Sequence, residues 1–222
     1  MLKKREIKVC QNRVSRRMKL LGIGSIINRK FKPCGGKNPN VDKDYPNVLN
    51  QEFTVEKPGL KWVTDITYIY TKEQGWTYLA AVIDLFDLKV IGWSYGEKID
   101  TNLVIAALSK AVINRARDHN CILHSDRGSQ YTSNRFEEML EILNIQHSYS
   151  KKGYPYDNAS MESFNAILKK EEVNLSSYDN LENTKLILFD FIESWYNNIR
   201  IHSKIDYMTP NEKYNNYLLS LT

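Results

Sequence analysis

Residues 61 to 95 show a pattern of hydrophobic and polar positions that predicts three consecutive β-strands. The segment KWVTDITYIY is rich in β-branched and aromatic residues, and WTYLAAVID and LKVIGWSY follow it after short intervals. The first interval contains Gly75, and the second contains Phe86 and Asp87, which allow a tight connection. Three strands joined by short turns predict an antiparallel meander.

Beyond residue 100, helical spacing of apolar residues alternates with short strand-like runs. The expected elements are a helix from Asp100 or Thr101 to about Arg117, a strand at 121–125, a helix that begins at Ser133, a strand at 145–150, a helix from about Asn158 to Glu172, and a helix from about Leu181 to Ile201. This order predicts an α/β fold in which helices flank a mixed five-stranded sheet.

The first sixty residues differ in composition from the rest of the chain. QNRVSRRMKLL at 11–21 has helical spacing and is followed by Gly22, whereas residues 28–60 are rich in Pro, Gly, Asn and Lys, as linkers are. We therefore predict a basic helical segment at 1–27, a linker at 28–60, a core domain at 61–180 and a C-terminal helical extension at 181–222.

Charge is distributed unevenly along the chain, whose formal net charge is +5. Residues 1–40 contain twelve Lys or Arg and one acidic residue, while the remainder contains nineteen basic and twenty-five acidic residues. Such a basic arm indicates contact with a polyanion, and Arg13, Arg16 and Arg17 are its candidate DNA-binding residues. A solvated basic tail would account for the charge equally well.

The remaining composition excludes some classes of protein. No apolar run approaches the roughly 20 residues that a membrane span needs, and the N-terminus does not resemble a secretory signal. The three cysteines are scattered and form no disulfide framework or metal-binding pair by their spacing. We expect a cytoplasmic protein without a membrane partner.

Three carboxylates lie where the predicted elements would bring chemistry together. Asp65 lies inside the first strand, Asp126 ends the fourth, and Glu162 lies near the start of a helix. If the first and fourth strands are neighbours, Asp65 and Asp126 lie side by side and Glu162 closes over them. Acidic oxygen ligands without a His or Cys cluster favour Mg²⁺ or Mn²⁺, and two such ions per active site can drive displacement at phosphorus.

Sequence blocks around these carboxylates resemble those of insertion-sequence transposases of the two-reading-frame type, in the DDE transposase and retroviral integrase superfamily. The blocks are WVTDITYI at 62–69, HSDRGSQYTS at 124–133 and DNASMESFNAILKKE at 157–171, with YNNIRIHSKIDYMTP at 196–210 as the closing block. Between Asp126 and Glu162 lie 35 residues, the spacing that characterises the superfamily.

The resemblance implies a ribonuclease H-like fold and a metal-dependent DNA transposase in which Asp65, Asp126 and Glu162 are catalytic and hold the metal. Water cleaves the element's end, and the liberated 3′-hydroxyl then attacks another phosphodiester. The partners it implies are double-stranded DNA at the element ends and the target, further copies of the chain on that DNA, and a separately encoded helix-turn-helix protein, because residues 11–21 resemble only the last helix of that region.

Several other residues have both a functional and a structural interpretation. Lys169, two helical turns after Glu162, is expected to reach DNA phosphate, and Lys151, Lys152 and Tyr154 are expected to contact DNA or to form a solvated loop. Gln130 and Tyr131 are weaker candidates for positioning a DNA strand.

Four residues have structural roles as their default. Asp84 is expected in a turn, Asp157 as a helix cap or turn residue, and His124 in packing, while His202 could orient a helix end or contact DNA.

Two alternative functions remain open from the sequence. One is a ribonuclease H-like or resolvase-type nuclease that uses the same metals, and the other is an inactive DNA-binding remnant that modulates an intact transposase. The sequence blocks flanking the carboxylates argue against the nuclease, and the complete set of three carboxylates argues against the remnant.

Overall fold

The computed structural model describes residues 9–24, 45–151 and 155–221, which divide into one unit up to residue 32 and a second from residue 33. The first unit contains α1 (Gln11–Leu20). As the sequence predicts, a glycine ends this helix: Gly22 has φ +65°, and the amides of Gly22 and Ile23 donate to the carbonyls of Lys19 and Met18. Arg13, Arg16 and Arg17 are exposed on α1.

The second unit contains all five strands and five further helices of the described chain. In order they are β1 (Lys61–Thr71), β2 (Gly75–Asp84), β3 (Val90–Gly96), α2 (Thr101–Asn114), β4 (Ile122–Ser125), α3 (Asn134–Ile142), β5 (Gln146–Tyr149), α4 (Ala159–Leu168), α5 (Leu181–Phe189) and α6 (Pro210–Leu219). A 3₁₀ turn at Pro155–Asn158 precedes α4, π-helical turns at Lys169–Val173 and Asp190–Tyr196 extend α4 and α5, and a 3₁₀ turn at Ser203–Ile205 precedes α6.

The sheet has the strand order β3-β2-β1-β4-β5. The first three strands pair antiparallel through short turns, and β4 and β5 pair parallel with β1 and with each other. Parallel neighbours need a crossover connection, and α2 and α3 provide these connections. The predicted mixed five-stranded sheet flanked by helices is therefore confirmed.

Helices cover both faces of this sheet because successive strand residues point to opposite sides. On one face, Val63 and Ile69 of β1 pack with Phe164 of α4 and Leu188 of α5. The other face carries Trp62, which packs in a separate cluster formed with α2 and α3. All of these side chains are buried, so β1 lies between two apolar cores.

Two helix ends differ from the sequence prediction. The helix after Asp100 ends at Asn114 rather than Arg117, and the last turn that continues α5 ends at Tyr196 rather than Ile201. The sequence analysis also missed α6 entirely. Its start has a recognisable signal, because Thr209 and Glu212 form a reciprocal capping box and Pro210 occupies the first turn.

The predicted linker at 28–60 is described only from Tyr45 onward, and this part packs against the core domain. Leu49 is fully buried, Phe53 and Val55 pack against the apolar core, and the amide of Tyr149 donates to the carbonyl of Pro46. Its Pro and Asn content indicates irregular backbone but does not show whether that backbone is docked. Likewise, the predicted extension at 181–222 contributes Leu188 to the central core and is not separate from it.

A buried ion cluster closes the turn between β2 and β3. The guanidinium of Arg115 lies 2.5 Å from Asp87 Oδ2 and 3.6 Å from Asp84 Oδ2, and all three side chains are at most 2% exposed. Asp84 also accepts the backbone N–H groups of Gly59 and Phe86. The structural role expected for Asp84 is therefore confirmed, and the ring of Tyr214 covers the guanidinium at 3.9 Å.

Among the described residues, no helix is long and apolar enough to cross a membrane.

Replacing Arg115 with Met should lower the free energy of unfolding by about 3–5 kcal/mol, because two buried carboxylates lose their cation. Urea denaturation at neutral pH measures the change, and Arg135→Met is the matched control, since Arg135 is an exposed arginine on α3. A loss below about 1 kcal/mol for Arg115→Met would contradict this account, because exposed ion pairs contribute only that much.

Candidate active site

The parallel pairing of β1 with β4 brings Asp65 and Asp126 to the same level of the sheet. Val63 pairs with His124 at the end of the ladder between the two strands, and the two aspartates lie two residues further along the chain from these partners. β4 ends at Ser125, so Asp126 begins the loop at the carboxyl end of that strand. The side-by-side position expected from the sequence thus follows from the strand order.

Asp65 is the candidate carboxylate inside a strand, and its surroundings act strongly on its ionisation. Burial raises its pKa to about 7, and the negative charges of Asp126 and, more weakly, Glu162 raise it as well. The groups that lower this pKa are amide donors: Ile66 N–H at 2.8 Å and the Asn165 side chain at 2.9 Å. Negative charge therefore accumulates around Asp65, and the contacts that partly offset it are neutral.

Two amide side chains attach helix α4, which carries Glu162, to β1. Asn158, the N-cap residue of α4, donates to the carbonyl of Thr64, at 3.1 Å, and Asn165 donates to the carboxylate of Asp65. Asn165 lies three residues after Glu162, so these two side chains share a face of the helix. Burial raises the pKa of the Glu162 carboxyl. The sequence analysis missed both asparagines, although the spacing of Asn165 from Glu162 was a usable signal.

The charges of Asp126 and Glu162 both act on Asp65, and Asp65 and Asp126 are each oriented by their own hydrogen bonds. Asp126 accepts the backbone N–H of Gly128 at 2.9 Å, and Asp65 is held by Ile66 and Asn165. In the described part of the chain, no three His, Cys, Asp or Glu side chains are arranged so that they could hold a metal ion as they stand. Common coordination would therefore require side-chain rotation of at least one carboxylate.

Asp157 lies in the 3₁₀ turn before α4, so of the two roles expected for it the turn role is the one observed. It does not cap α4, because the N-cap residue is Asn158, and Asp157 instead binds the segment around residue 50. Its carboxylate accepts the side-chain amides of Asn47 and Gln51, at 2.9 and 2.7 Å, and the backbone N–H of Lys151. One buried carboxylate thus connects the start of the α4 region to two other segments, an arrangement that sequence spacing cannot reveal.

The candidate DNA-binding residues fall into described and undescribed positions. The ammonium of Lys169 donates to the backbone carbonyl of Tyr68, at the junction of α4 and β1. Lys151 is exposed, and Lys152 and Tyr154 lie outside the described residues.

Tyr131 does not contact solvent, so the weak expectation that it positions DNA is wrong. It is 1% exposed, packs edge-on against Phe136, and forms a hydrogen bond with the hydroxyl of Thr64. His124 has the packing role expected: both of its ring nitrogens bond serine hydroxyls, those of Ser148 and Ser150, at 2.9 Å.

The closing sequence block, residues 196–210, contacts the π-helical turn that extends α4. Arg200 makes two hydrogen bonds to Glu171, at 3.0 and 2.9 Å, and a third contact to Nδ1 of His202. His202 is 7% exposed, packs edge-on against Tyr196, and its Nε2 has no hydrogen-bond partner among the described residues. This arrangement fixes the turn before α6, and of the two roles left open for His202 it supports orientation of the chain.

Comparison with known proteins adds the family context of this geometry. Two family models, both described as integrase core domain, match residues 55–155 and 143–210. The transposase for insertion sequence element IS904 of Lactococcus lactis is 39% identical over 206 residues, which cover 91% of this chain and 80% of that protein. Transposase InsF for insertion sequence IS3A of Escherichia coli is 38% identical over 191 residues, covering 86% of this chain and 66% of InsF.

Two solved structures share the fold at low sequence identity. A simian T-cell lymphotropic virus intasome, in complex with PP2A regulatory subunit B56 gamma, superposes with a TM-score of 0.57 at 19% identity, over 71% of this chain and 54% of that chain. The HTLV-2 integrase catalytic core domain in complex with magnesium gives a TM-score of 0.52 at 19% identity, over 71% and 97%. The expected ribonuclease H-like fold is thereby confirmed.

The contribution of His202 to the free energy of unfolding should fall as the pH decreases from about 6.5 to 4. Burial, helped by the charge of Arg200, lowers the pKa of His202 to about 4, so only the unfolded chain takes up this proton within that interval. The stabilising contribution is fully present above pH 6.5 and is lost as the pH falls. His202→Gln should reduce the slope by up to about 1.4 kcal/mol per pH unit.

Denaturant unfolding at several pH values measures this slope. His119→Gln replaces an exposed histidine and is the control for loss of an imidazole at the surface. Equal slopes in the wild type and in His202→Gln would show that His202 does not take up a proton on unfolding.

Proposed function

The chain belongs to the insertion-sequence transposases that carry an integrase core domain, and on this basis we propose that it catalyses metal-dependent cleavage and strand transfer of DNA at the ends of an insertion sequence. The observation that carries the proposal is the accumulation of negative charge at Asp65. This residue lies in a central strand, where an uncompensated carboxylate is costly. We propose that a divalent cation offsets this cost.

The residue types fit such an ion. Asp65, Asp126 and Glu162 offer only hard oxygen ligands, which Mg²⁺ and Mn²⁺ prefer. Asp65 is the carboxylate whose pKa is raised by the charges of both of the others, so we propose that Asp65, Asp126 and Glu162 together would hold these ions. When bound, two ions of this kind supply activation of an attacking oxygen and stabilisation of a leaving oxygen.

The chain's own residues position these ligands. Asn165 holds one oxygen of Asp65, and Asn158 holds the start of α4 on the carbonyl of Thr64. Rotation of Glu162 would then be the main adjustment on metal binding, since its side chain makes no hydrogen bond that the structure records within the described residues. Preorganised ligands lower the reorganisation needed during reaction.

The proposed reaction conserves the number of phosphodiester bonds in its second step. Water first cleaves the strand at the element's end and leaves a 3′-hydroxyl. That hydroxyl oxygen then forms a new bond to a target phosphorus, while the 3′ oxygen of the target strand leaves with a proton. No energy cofactor is required, because one phosphodiester replaces another.

The proposal also includes DNA contacts made by residues other than the three carboxylates. Lys169 and Lys151 would bind backbone phosphates, and Lys152 and Tyr154 are proposed as further DNA contacts. Arg13, Arg16 and Arg17 form an exposed basic face on α1 that would add sequence-independent affinity.

The proposed assembly contains more than one copy of the chain. The simian viral relative of this fold is an intasome, and the HTLV-2 core domain is described in dimeric and trimeric forms. We propose that this chain likewise self-associates on DNA, since two element ends have to be joined. A separately encoded helix-turn-helix protein remains a proposed partner.

Asp65→Asn, Asp126→Asn and Glu162→Gln should each reduce Mn²⁺-dependent DNA cleavage by about three orders of magnitude or more, because each removes a ligand whose ion supplies several kcal/mol. A labelled duplex with an element end reports cleavage, and a mobility shift without metal reports binding, which should persist. Glu138→Gln, on the exposed side of α3, is the isosteric control. Retained cleavage in any one variant removes that residue from the proposed site.

A pre-cut element end should become joined to plasmid DNA when Mn²⁺ is present, because the same carboxylates serve both attack steps. The joined product is resolved on a denaturing gel, and an oligonucleotide that lacks the 3′-hydroxyl is the control that cannot react. Nicking of the plasmid without joining would identify a nuclease and contradict the transposase proposal.

A further inference from the structure

The hairpin formed by β1 and β2 carries four aromatic side chains on one face. Tyr68 pairs with Tyr78, and Tyr70 pairs with Trp76, so the four residues occupy adjacent positions across the two strands. Tyr68, Tyr70 and Trp76 are 48%, 56% and 58% exposed. Adjacent large aromatic side chains at this level of exposure mark an interaction surface, whereas isolated ones do not.

These rings hold one another in fixed orientations. The centroids of Tyr68 and Tyr78 are 5.1 Å apart and those of Tyr70 and Trp76 are 5.5 Å apart, with the planes close to perpendicular in both pairs. A third edge-on contact joins Tyr68 and Trp76 at 6.3 Å. A ligand that stacks on these rings would therefore lose little additional side-chain entropy from the protein.

A hollow of about 490 Å³ lies between this aromatic face and the π-helical turn that extends α4. Its lining includes Tyr68, Tyr70 and Trp76 of the hairpin, Lys72 in the turn of that hairpin, and Lys169 and Tyr178, together with small polar residues. No Asp or Glu is among the described residues that line it. Two ammonium groups without a carboxylate in the lining favour an anionic ligand.

The two ammonium groups are both able to exchange their present partners. Lys72 forms an ion pair of 2.7 Å with Asp179, but both side chains are more than half exposed, so the pair is weak. Lys169 donates to the carbonyl of Tyr68, a neutral acceptor. A phosphate would offer each lysine a stronger, charge-assisted hydrogen bond.

The hollow lies at a short and definable distance from the carboxylates. Tyr68 is three residues beyond Asp65 on β1, about 10 Å along a strand. Lys169 is seven residues beyond Glu162, about 10 Å along a helix. The ammonium of Lys169 donates to the backbone carbonyl of Tyr68, so the distance along β1 and the distance along the helix lead to the same place. Along the axis of a duplex, successive phosphates of one strand rise by roughly 3.4 Å, so this place lies within about three nucleotides of the reacting bond, and fewer if the strand is unpaired and extended.

We propose that this aromatic hollow binds unpaired nucleotides of the DNA strand next to the reacting phosphodiester. Bases stack on Tyr70 and Trp76, while Lys72 and Lys169 contact the phosphates. Bases inside a duplex already stack on one another and cannot offer their faces, so the ligand is single-stranded. The inference rests on the proposed function for the identity of the substrate, but the binding itself requires neither metal nor catalysis.

The test uses the full chain without divalent metal and a fluorescent oligothymidylate, with a duplex of equal length for comparison. Tyr70→Ala and Trp76→Ala should each weaken oligothymidylate binding about tenfold, the effect typical of one lost stacking contact, and should change duplex binding less than twofold. Phe189→Ala is the matched control, because Phe189 is a 52% exposed aromatic on α5 outside the hollow. Trp76→Phe should retain binding, since its ring still stacks.

A spectroscopic readout ties the effect to the hollow. Oligothymidylate should quench part of the tryptophan fluorescence of the wild type, and this quenching should be lost in Trp76→Phe although binding is retained. Unchanged affinity in both alanine variants, or an equal loss in Phe189→Ala, would overturn the proposal. A change of oligomeric mass in the alanine variants without DNA would also overturn it, because the face would then be an interface between copies.

These outcomes are separable from those that test the proposed function. If the variants of Asp65, Asp126 and Glu162 still cleave DNA while the alanine variants lose single-strand binding, the proposed catalytic residues are wrong and the proposed binding surface is supported.

Discussion

Repulsion among carboxylates at one point of the sheet is the constraint on which the rest of this site depends. Asp65 lies in the central strand, with an apolar core on each side, and the charges of Asp126 and Glu162 act on it together with burial. A protein interior does not tolerate such a group without compensation. Among the described residues, the direct hydrogen-bond partners of Asp65 are neutral amides, and the proposed divalent cation would supply the missing positive charge.

The surroundings of the carboxylates explain how the fold maintains this arrangement. The amides of Asn158 and Asn165 attach α4 to β1, and Asp157 attaches the preceding turn to Asn47 and Gln51. These contacts use neutral hydrogen bonds and one buried carboxylate, so they position the helix without adding a cation that would compete with metal. The helix can therefore be fixed while the side chain of Glu162 keeps its freedom to rotate.

The same strand that carries Asp65 continues into the aromatic hairpin face, so the proposed catalytic and base-stacking surfaces share one rigid element. Lys169 connects them on the helix side, because its ammonium meets the carbonyl of Tyr68. Sites built on regular elements hold their geometry better than sites on loops. The charge cluster of Asp84, Asp87 and Arg115 lies at the far end of β2 and closes a turn, which shows that burial of an acidic residue does not by itself indicate catalysis.

The sequence determined most of the fold and the choice of candidate residues, because alternating and helical spacing are local properties that any neighbouring residues can display. It indicated five strands, most helices and the carboxylates 65, 126 and 162, but not α6, the docking of residues 45–60, or the amides that hold α4. Of these, α6 begins with a local capping signal that the sequence does contain, whereas the docking of residues 45–60 and the amides on α4 depend on contacts between positions about 100 residues apart, such as Asn165 with Asp65. Only the tertiary structure could decide these long-range contacts. A hydrogen bond forms when the fold brings two groups together, and neither residue's local sequence shows which distant partner it will have.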